Sequence, residues 1–394
     1  MSRPPRTGLV GPTDIGRIVL GWGAFGILLL IHPLIEAPAP APVLIVALGA
    51  IIAVIIVCAF GVVKQAEALA HRLGDPYGSL VLTLSIVLIE VILISAVMLG
   101  PGEHGTIARD SVMAVAMIIL NLVIGLCLLL GGIRHRGLTH NRTGTSAYLA
   151  MLVVLGTLAF GLPALIGEGG SYTLGQAIPV IVLTLGLYAF FLSRQMGAQA
   201  ADFIEVGERM PVGERMPVGG RMSARTAARS EAPTGGIRAV LRENRREVVT
   251  RLVLLVVTVV PIVLLSHDMA ALLDNGLGRL GAPPALAGVL IAAIVFLPES
   301  ITSVRAALGG EAQRVSNLCH GALVSTVGLT IPAVLIIGMA TGQTVVLAES
   351  PANLLMLGVT LLLSVTTFGA KRATAMHGAA HLVTFAAYVL ILFS

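Results

Sequence analysis

Charged residues are scarce in this 394-residue chain, in which only 11% of the side chains are Asp, Glu, Lys or Arg. Soluble globular proteins carry about 25% charged residues, so this scarcity excludes a soluble enzyme or binding module. Cysteines are also few: Cys58, Cys127 and Cys319 all lie in apolar runs and form no CxxC pair. Neither a disulfide framework nor a zinc site is therefore indicated.

The sequence also lacks the short motifs of common catalytic sites. It contains no HExxH pair, no nucleophile elbow and no phosphate-binding P-loop. An intramembrane enzyme is therefore a remote alternative, because each of those motifs supplies a group that its chemistry needs. We expect a protein that is not an enzyme, with no resident cofactor and no nucleic-acid partner.

Apolar residues make up 56% of the chain and are gathered into long runs. About 20 apolar residues are enough to cross a bilayer as a helix. The runs are too continuous for an outer-membrane barrel, whose strands alternate apolar and polar residues. We predict an all-α polytopic membrane protein with about 11 transmembrane helices. The predicted spans are 15–35, 42–63, 78–99, 110–132, 147–167, 173–193, 249–267, 284–304, 319–340, 352–370 and 377–393.

The basic residues test this set of spans. With eleven spans, 23 of the 25 Lys and Arg residues fall in loops on one side, and only Arg109 and Arg279 fall on the other. An excess of basic residues marks the cytoplasmic side of a membrane protein. We therefore expect an inner-membrane protein whose N-terminus is cytoplasmic and whose C-terminus is outside.

The spans divide the chain into four parts. Residues 1–40 would form an extra N-terminal helix, although Ala37-Pro38-Ala39 also resembles a signal-peptide cleavage site. The apolar core of that helix is longer than the 7–15 residues of a signal peptide, which favours a retained helix. Residues 41–193 and 249–394 would each form five helices. Between them, the basic segment 194–248 carries the tandem repeat VGERMP and is predicted to be a flexible linker.

Two glutamates lie deep inside apolar runs, namely Glu90 and Glu299, whereas the other acidic residues fall in loops, in the linker or at span ends. Glu90 lies about 18 Å along its predicted helix from Gly78, near the middle of a ~30 Å hydrocarbon core. An acidic group at that depth costs roughly 2.5–3.5 kcal/mol and commonly marks an ion or proton pathway. A protonated glutamate hydrogen-bonded to a neighbouring helix is the alternative.

The two glutamates occupy equivalent places in oppositely directed halves. Each lies in the second helix of its five-helix half, and an odd number of helices reverses the orientation of the second half. This pattern indicates two inverted five-helix repeats with a binding site at the midplane. The repeat cores would lie at about 64–132 and 284–340.

Oxygen donors surround both glutamates in the sequence. Thr302 and Ser303 follow Glu299 by one helical turn, and Thr83 precedes Glu90 by two turns on the same face. Pro298 cannot donate to the carbonyl of Ile294, which leaves that oxygen free to face an ion. Asn121 and Thr330 each lie near mid-depth in the following helices. Such donors suit Ca²⁺ or Na⁺ better than a soft metal.

Three segments resemble a known family. The run EALAHRLGDPYG with the following Glu90 helix resembles the first α-repeat of the cation/calcium exchanger superfamily. The run LPESITSVRAALGGEAQRVSNLCHGALVSTVGLTIPAVL resembles the second α-repeat of its bacterial calcium/proton antiporter branch, as does the closing GAKRATAMHGAAHLVTFAAYVLILF. The resemblance covers residues from about 45 to 394 outside the linker. It departs from the family pattern at Ile86-Val87-Leu88-Ile89, where many exchangers have Gly-Asn.

This resemblance implies a secondary transporter that exchanges cytoplasmic Ca²⁺ for external H⁺ by alternating access. Glu90 and Glu299 would bind the metal ion and the protons. The second helices of the repeats would contribute Asn121, Ser325 and Thr326, and Glu67 would be the acidic residue before the first repeat. The partners would be the transported ions and the bilayer.

Several points stay open in the sequence. Glu67 and His71 are spaced to share a helix face and could line the cytoplasmic mouth, although a solvated salt-bridged face is the simpler interpretation. The choice between Ca²⁺ and Na⁺ or K⁺ is not decided, nor is the oligomeric state. A cation channel remains a remote alternative.

Overall fold

The computed structural model describes residues 11–36, 40–73, 105–205, 245–280, 283 and 285–393, and six helical positions between 87 and 98. Within these residues the fold is all-helical, and its β-type pairing is limited to isolated bridges. The ten long helices are α1 (Pro12–Glu36), α2 (Ala41–Leu73), α3 (Ile107–His135), α4 (Arg142–Ile166), α5 (Leu174–Met196), α6 (Arg245–Leu280), α7 (Ala285–Gly309), α8 (Ala312–Thr341), α9 (Pro351–Gly369) and α10 (Ala375–Leu392).

The helices confirm a polytopic membrane protein. Among the described residues, nine helices are long and apolar enough to cross a bilayer, or ten if the bent helix α7 is one span. The predicted span 78–99 lies mostly outside the described residues, although its described positions, Glu90 among them, are helical. The total of eleven therefore stays a prediction. The middle of the linker, residues 206–244, also lies outside the described residues.

Two helices contain a π-helical turn. In α3 the turn covers Ile118–Val123, and in α4 it covers Thr157–Gly161. Such turns insert an extra residue into the helix and are frequent at functional sites. Asn121 lies within the turn of α3, so this widened turn determines where the Asn121 side chain points.

Helix α7 is bent beside Glu299. Its two parts, Gly288–Ile294 and Phe296–Gly309, meet at an angle of 53°. Pro298 has no amide hydrogen to donate to the carbonyl four residues earlier, and kinks of this size commonly arise there. The loosened backbone that the sequence predicts around Ile294 therefore coincides with the bend.

The helices pack around α3 and α8, which are the most buried of the candidate spans. Helix α10 packs along α3, and α5 packs along α8. Helix α2 packs along α6, and α1 lies against both of them. Helix α7 contacts α2, α3 and α8, which places Glu299 between the two most buried helices.

Loops meet at the two ends of the bundle. At one end, Leu138 pairs with Ala373, and Arg142 donates to the carbonyl of Gly369. This end, the basic face, carries most of the described arginines. At the opposite face, the amide of Val346 donates to the carbonyl of Gly105.

Helix α2 is longer than the predicted span 42–63. It continues without a break to Leu73, so the backbone of Glu67 and His71 belongs to α2. Both residues lie beyond the apolar part of the helix.

Candidate functional site

Glu90 is buried and held by a hydroxyl of helix α8. Only 3% of Glu90 is exposed, and the Thr326 Oγ1 hydroxyl donates to Glu90 Oε2 at 2.5 Å. The second carboxyl oxygen, Oε1, is buried and accepts no hydrogen bond from the described residues. One oxygen of Glu90 is therefore anchored, and the other is available to a ligand.

Glu299 lies on α7 beside a narrow void of about 10 Å³. This volume corresponds to about one water molecule. The polar groups that border it with Glu299 are Ser300, Ser303 and Cys319. The Cys319 thiol donates to Ser303 Oγ at 3.5 Å, which ties this part of α7 to α8.

A single face of α8 contacts both glutamates. Cys319 and Ala322 border the void beside Glu299, and Thr326 bonds Glu90. Residues spaced by three, four and seven lie on one side of a helix. Ala322 and Thr326 are separated by about 6 Å along the axis at 1.5 Å per residue. The two carboxyl groups are thus presented to neighbouring turns of the same helix.

The other predicted hydroxyl donors have different surroundings. Thr302 Oγ1 donates to the carbonyl of Pro298, one turn earlier in its own helix, at 3.0 Å. Ser325 accepts from the Tyr188 hydroxyl at 2.9 Å and so faces α5. Thr330 Oγ1 is buried and has no hydrogen-bond partner among the described residues.

The Asn121 side chain joins a network that the sequence did not reveal. Its Nδ2 donates to Thr360 Oγ1 at 2.8 Å, and its Oδ1 lies 3.2 Å from His381 Nδ1. His381 Nε2 in turn lies 3.2 Å from Thr367 Oγ1. All four side chains are fully buried. Asn121 is thus bound by side chains of α9 and α10.

This network had one signal in the sequence. Thr360, Thr367 and His381 are polar residues inside or at the edge of apolar runs, where each buried polar group needs a partner. Their spacing does not show which helices face one another, so the partners could not be assigned.

Three predicted residues cannot be placed in the site. Thr83 lies outside the described residues. Glu67 and His71 belong to α2, but only their backbone is described. Their proposed place at a mouth of the pathway stays a prediction.

This arrangement can hold positive charge. A buried carboxylate is stable only when its charge is compensated by a partner, a cation or a proton. The void beside Glu299 is otherwise lined by apolar side chains, and the few polar groups near the two glutamates are mainly carboxyl and hydroxyl oxygens, which are hard donors suited to Na⁺ or Ca²⁺. Buried acidic residues in a bundle of membrane helices are typical of ion transporters.

Comparison with known proteins identifies the family. The sodium/calcium exchanger protein family matches residues 43–197 and 250–394, which is most of the chain, and the chain belongs to this family. Its relatives are secondary transporters rather than enzymes. The resemblance to the cation/calcium exchanger superfamily is thereby confirmed.

Two curated relatives match over most of their length. The chain is 36% identical over 335 residues to the putative ionic transporter y4hA of Sinorhizobium fredii (strain NBRC 101917 / NGR234), covering 84% of each chain. It is 30% identical over 336 residues to the sodium-potassium/proton antiporter ChaA of Escherichia coli (strain K12), covering 85% of this chain and 86% of that one.

A solved structure shows the same fold. The structure of native YfkE, a Ca²⁺/H⁺ antiporter protein, superposes with a TM-score of 0.65 and 15% sequence identity. The match covers 96% of this chain and 99% of YfkE. The family match and the long apolar helices show that the protein is a multi-pass membrane transporter of the cation/calcium exchanger superfamily.

Proposed function

We propose that the protein is a cation/proton antiporter in which Glu90 and Glu299 form one shared binding site, and that it exports Ca²⁺ in exchange for H⁺. The observation that carries the proposal is the common face of α8. Thr326 holds Glu90, and Cys319 and Ala322 border Glu299 one to two turns earlier. Two carboxyl groups so arranged provide the charge that a divalent cation requires.

Competition for the same oxygens couples the two ions. With both carboxyl groups ionised, the site offers two negative charges to a cation. With both protonated, those charges are lost, and the affinity for the cation falls with them. The two acids titrate as a pair because each charge affects the other. Protons therefore displace the metal ion, and the metal ion displaces protons.

Alternating access follows from two inverted repeats of five helices, 41–193 and 249–394. The helix contacts support this division. Helix α10 of the second half packs on α3 of the first, and α5 of the first half packs on α8 of the second. Each half thus places its last helix against the third helix of the other half. Rocking of related halves about a fixed midplane site is the common means of transport in such folds.

The basic face would be cytoplasmic. Arg134, Arg142, Arg305 and Arg314 lie at that end of the described helices, whereas Arg109 lies near the opposite end. Basic residues are retained on the cytoplasmic side during insertion. This orientation would place the N-terminus inside, the C-terminus outside and the protein in the inner membrane.

Exchange of Na⁺ or K⁺ for H⁺ is the second candidate. It is favoured by the 30% identity to ChaA, whose name describes a sodium-potassium/proton antiporter. A monovalent cation would use the same oxygens, with one of the two acids remaining protonated.

The experiment uses everted membrane vesicles that carry the full chain and a pH-sensitive dye. After a proton gradient is established, Ca²⁺, Na⁺ and K⁺ are added separately, and dissipation of the gradient reports exchange. We expect a response to Ca²⁺ that is lost in Glu90→Gln and Glu299→Gln. Glu168→Gln, an exposed acid of the opposite face, is the matched control and should retain exchange.

Each outcome selects between the candidates. A response to Na⁺ or K⁺ alone replaces Ca²⁺ with a monovalent substrate. Full exchange in both glutamine variants contradicts the shared site. Cation flux that is unaffected by a pH gradient would instead indicate a channel.

A further inference from the structure

A large cleft opens at the basic face between α1, α2, α7 and α8. It has a volume of about 450 Å³. Its polar lining consists of Arg17, Lys64, Thr302, Arg305, Glu311 and Arg314, and we call this feature the basic cleft. Phe60, Val63, Ile301 and Ala306 form its apolar walls.

Positive charge exceeds negative charge in the basic cleft. Four basic residues line it against one acidic residue, Glu311, which pairs with Arg314 at 2.9 Å. Asp14 lies nearby and pairs with Lys64 at 3.0 Å. With both acidic residues counted, the described residues of the cleft still carry an excess of two positive charges.

Two of the guanidinium groups have N–H donors that form no hydrogen bond with a described residue. Arg305 forms no hydrogen bond or ion pair with any described residue. Arg17 Nη1 is buried without a hydrogen-bond partner among the described residues, and its ion pair with Asp14 Oδ1 is long, at 3.9 Å. A buried donor that lacks a partner costs free energy unless a ligand supplies one.

The chain backbone makes room for one of these groups. The Arg17 side chain crosses α2 at Gly61, where a Cβ atom would lie only 2.9 Å from Arg17 Cδ. Glycine at this position therefore allows Arg17 of the N-terminal helix to reach the basic cleft. Helix α1 thus completes a site whose other residues come from α2, α7 and α8.

We propose that the basic cleft binds a phosphate-bearing anion, either the headgroup of an anionic lipid or a soluble phosphate compound. Arginine donates to phosphate through its planar guanidinium group, often with two parallel hydrogen bonds. Lys64 adds a point charge. The cleft lies where the headgroups of the adjoining leaflet would be, and its apolar walls suit the glycerol end of a lipid as well as a free anion.

The position of the site ties it to transport. Thr302 and Arg305 belong to α7, the helix that carries Glu299, and Thr302 lies one turn from that glutamate. A bound anion would connect the ends of α1, α2, α7 and α8. It would also reduce the positive potential that an approaching cation meets at this face. The site is separate from Glu90 and Glu299 and does not depend on which cation is transported.

The test measures anion binding by the purified full-length protein in neutral detergent. Thermal unfolding is followed with increasing short-chain phosphatidylglycerol, short-chain phosphatidylcholine or inorganic phosphate, at matched ionic strength. A ligand that binds the folded state raises Tm in a saturable manner. We expect such a rise with phosphatidylglycerol, inorganic phosphate or both, and none with phosphatidylcholine.

Variants locate the site. Arg305→Gln and Arg314→Gln should each weaken the apparent affinity by about tenfold, as expected for the loss of one charge-assisted contact. Arg305→Lys should restore part of it. Arg372→Gln, an exposed basic residue of the same face outside the cleft, is the matched control and should bind as the wild type does. If an arginine variant does not fold, Lys64→Gln serves in its place.

The outcomes are distinguishable. A rise with phosphatidylglycerol alone identifies a lipid headgroup, a rise with inorganic phosphate alone identifies a soluble anion, and a rise with both shows that the cleft recognises the phosphate group itself. Absence of any rise, an equal rise with phosphatidylcholine, or an equal rise in the cleft variants and the wild type would overturn the proposal. Glu90→Gln should retain anion binding, so failure of the antiport proposal would not remove this signal.

Discussion

Asn121 Oδ1 lies 3.2 Å from His381 Nδ1, and this contact joins the π-helical turn of α3 to the last helix, α10. The amide oxygen accepts, so the imidazole donates from Nδ1, and its Nε2 accepts from the Thr367 hydroxyl. Asn121 uses its own amide group to donate to Thr360 on α9. Three helices are therefore held by one buried polar network around the widened turn.

The first prediction concerns the strength of this network. Asn121→Leu and His381→Leu should each destabilise the protein, because each leaves buried polar groups without a partner. Hydrogen bonds between membrane helices contribute about 0.6–2 kcal/mol each. The double variant should lose less than the sum of the single losses, as measured by thermal unfolding in detergent. Additive losses would show that the two side chains act independently.

The second prediction concerns the hydroxyl that holds Glu90. Thr326→Val keeps the shape of the side chain but removes the donor to Glu90 Oε2. A hydrogen bond to a charged group contributes about 1.5–3 kcal/mol, so the apparent cation affinity should change by about tenfold or more. Thr326→Ser keeps the hydroxyl and is the matched control. Equal cation dependence of exchange in both variants would show that the bond does not position the carboxylate.

The third prediction concerns the bend of α7. Pro298→Ala restores an amide that can donate to the carbonyl of Ile294, which favours a straighter helix. Proline is about 3 kcal/mol less favourable than alanine within a helix. We expect greater thermal stability and slower exchange in the same variant. Pro332→Ala, in the interior of α8, separates the effect of this bend from that of proline removal in general. Unchanged exchange in Pro298→Ala would argue against a role for the bend.

The fourth prediction concerns pH and His140, which lies between α3 and α4. Burial lowers the pKa of His140 below its usual value of 6.5. Its Nε2 lies 2.9 Å from the Phe368 carbonyl, so Nε2 carries the proton, and Nδ1 is buried without a partner among the described residues. In the unfolded chain His140 takes up a proton near pH 6.5, whereas in the folded chain it does so only at lower pH. The contribution of His140 to stability should therefore be complete above about pH 6.5 and should decrease as the pH falls below that value.

Variants isolate this contribution. His140→Gln keeps a donor for Phe368 but does not titrate, so its Tm should decline less between pH 7.5 and 5.5 than that of the wild type. His135→Gln is the control, because His135 is exposed and makes a similar bond to the carbonyl of Leu308 at 2.9 Å. An identical pH profile in His140→Gln and the wild type would exclude His140 as the source of the decline.

Much of this protein follows from local sequence patterns. Apolar runs of bilayer length predict the helices because each membrane-buried amide must be satisfied within its own helix. Pro298 predicts loosened backbone, and the bend of α7 is found there. The ends of the helices are less predictable: α2 continues through Glu67 because polar residues beyond the apolar core can extend a helix into solvent.

The sequence by itself determined the class of protein, the approximate spans and the two acidic residues that no ordinary apolar helix would contain. Only the tertiary structure decided the partners. It placed Thr326 against Glu90, turned Asn121 towards His381, and gathered Arg17, Lys64, Arg305 and Arg314 around one cleft. The reason is physical: hydropathy and proline act along a single helix, whereas a hydrogen bond between helices depends on their rotation and packing, which distant parts of the chain set together.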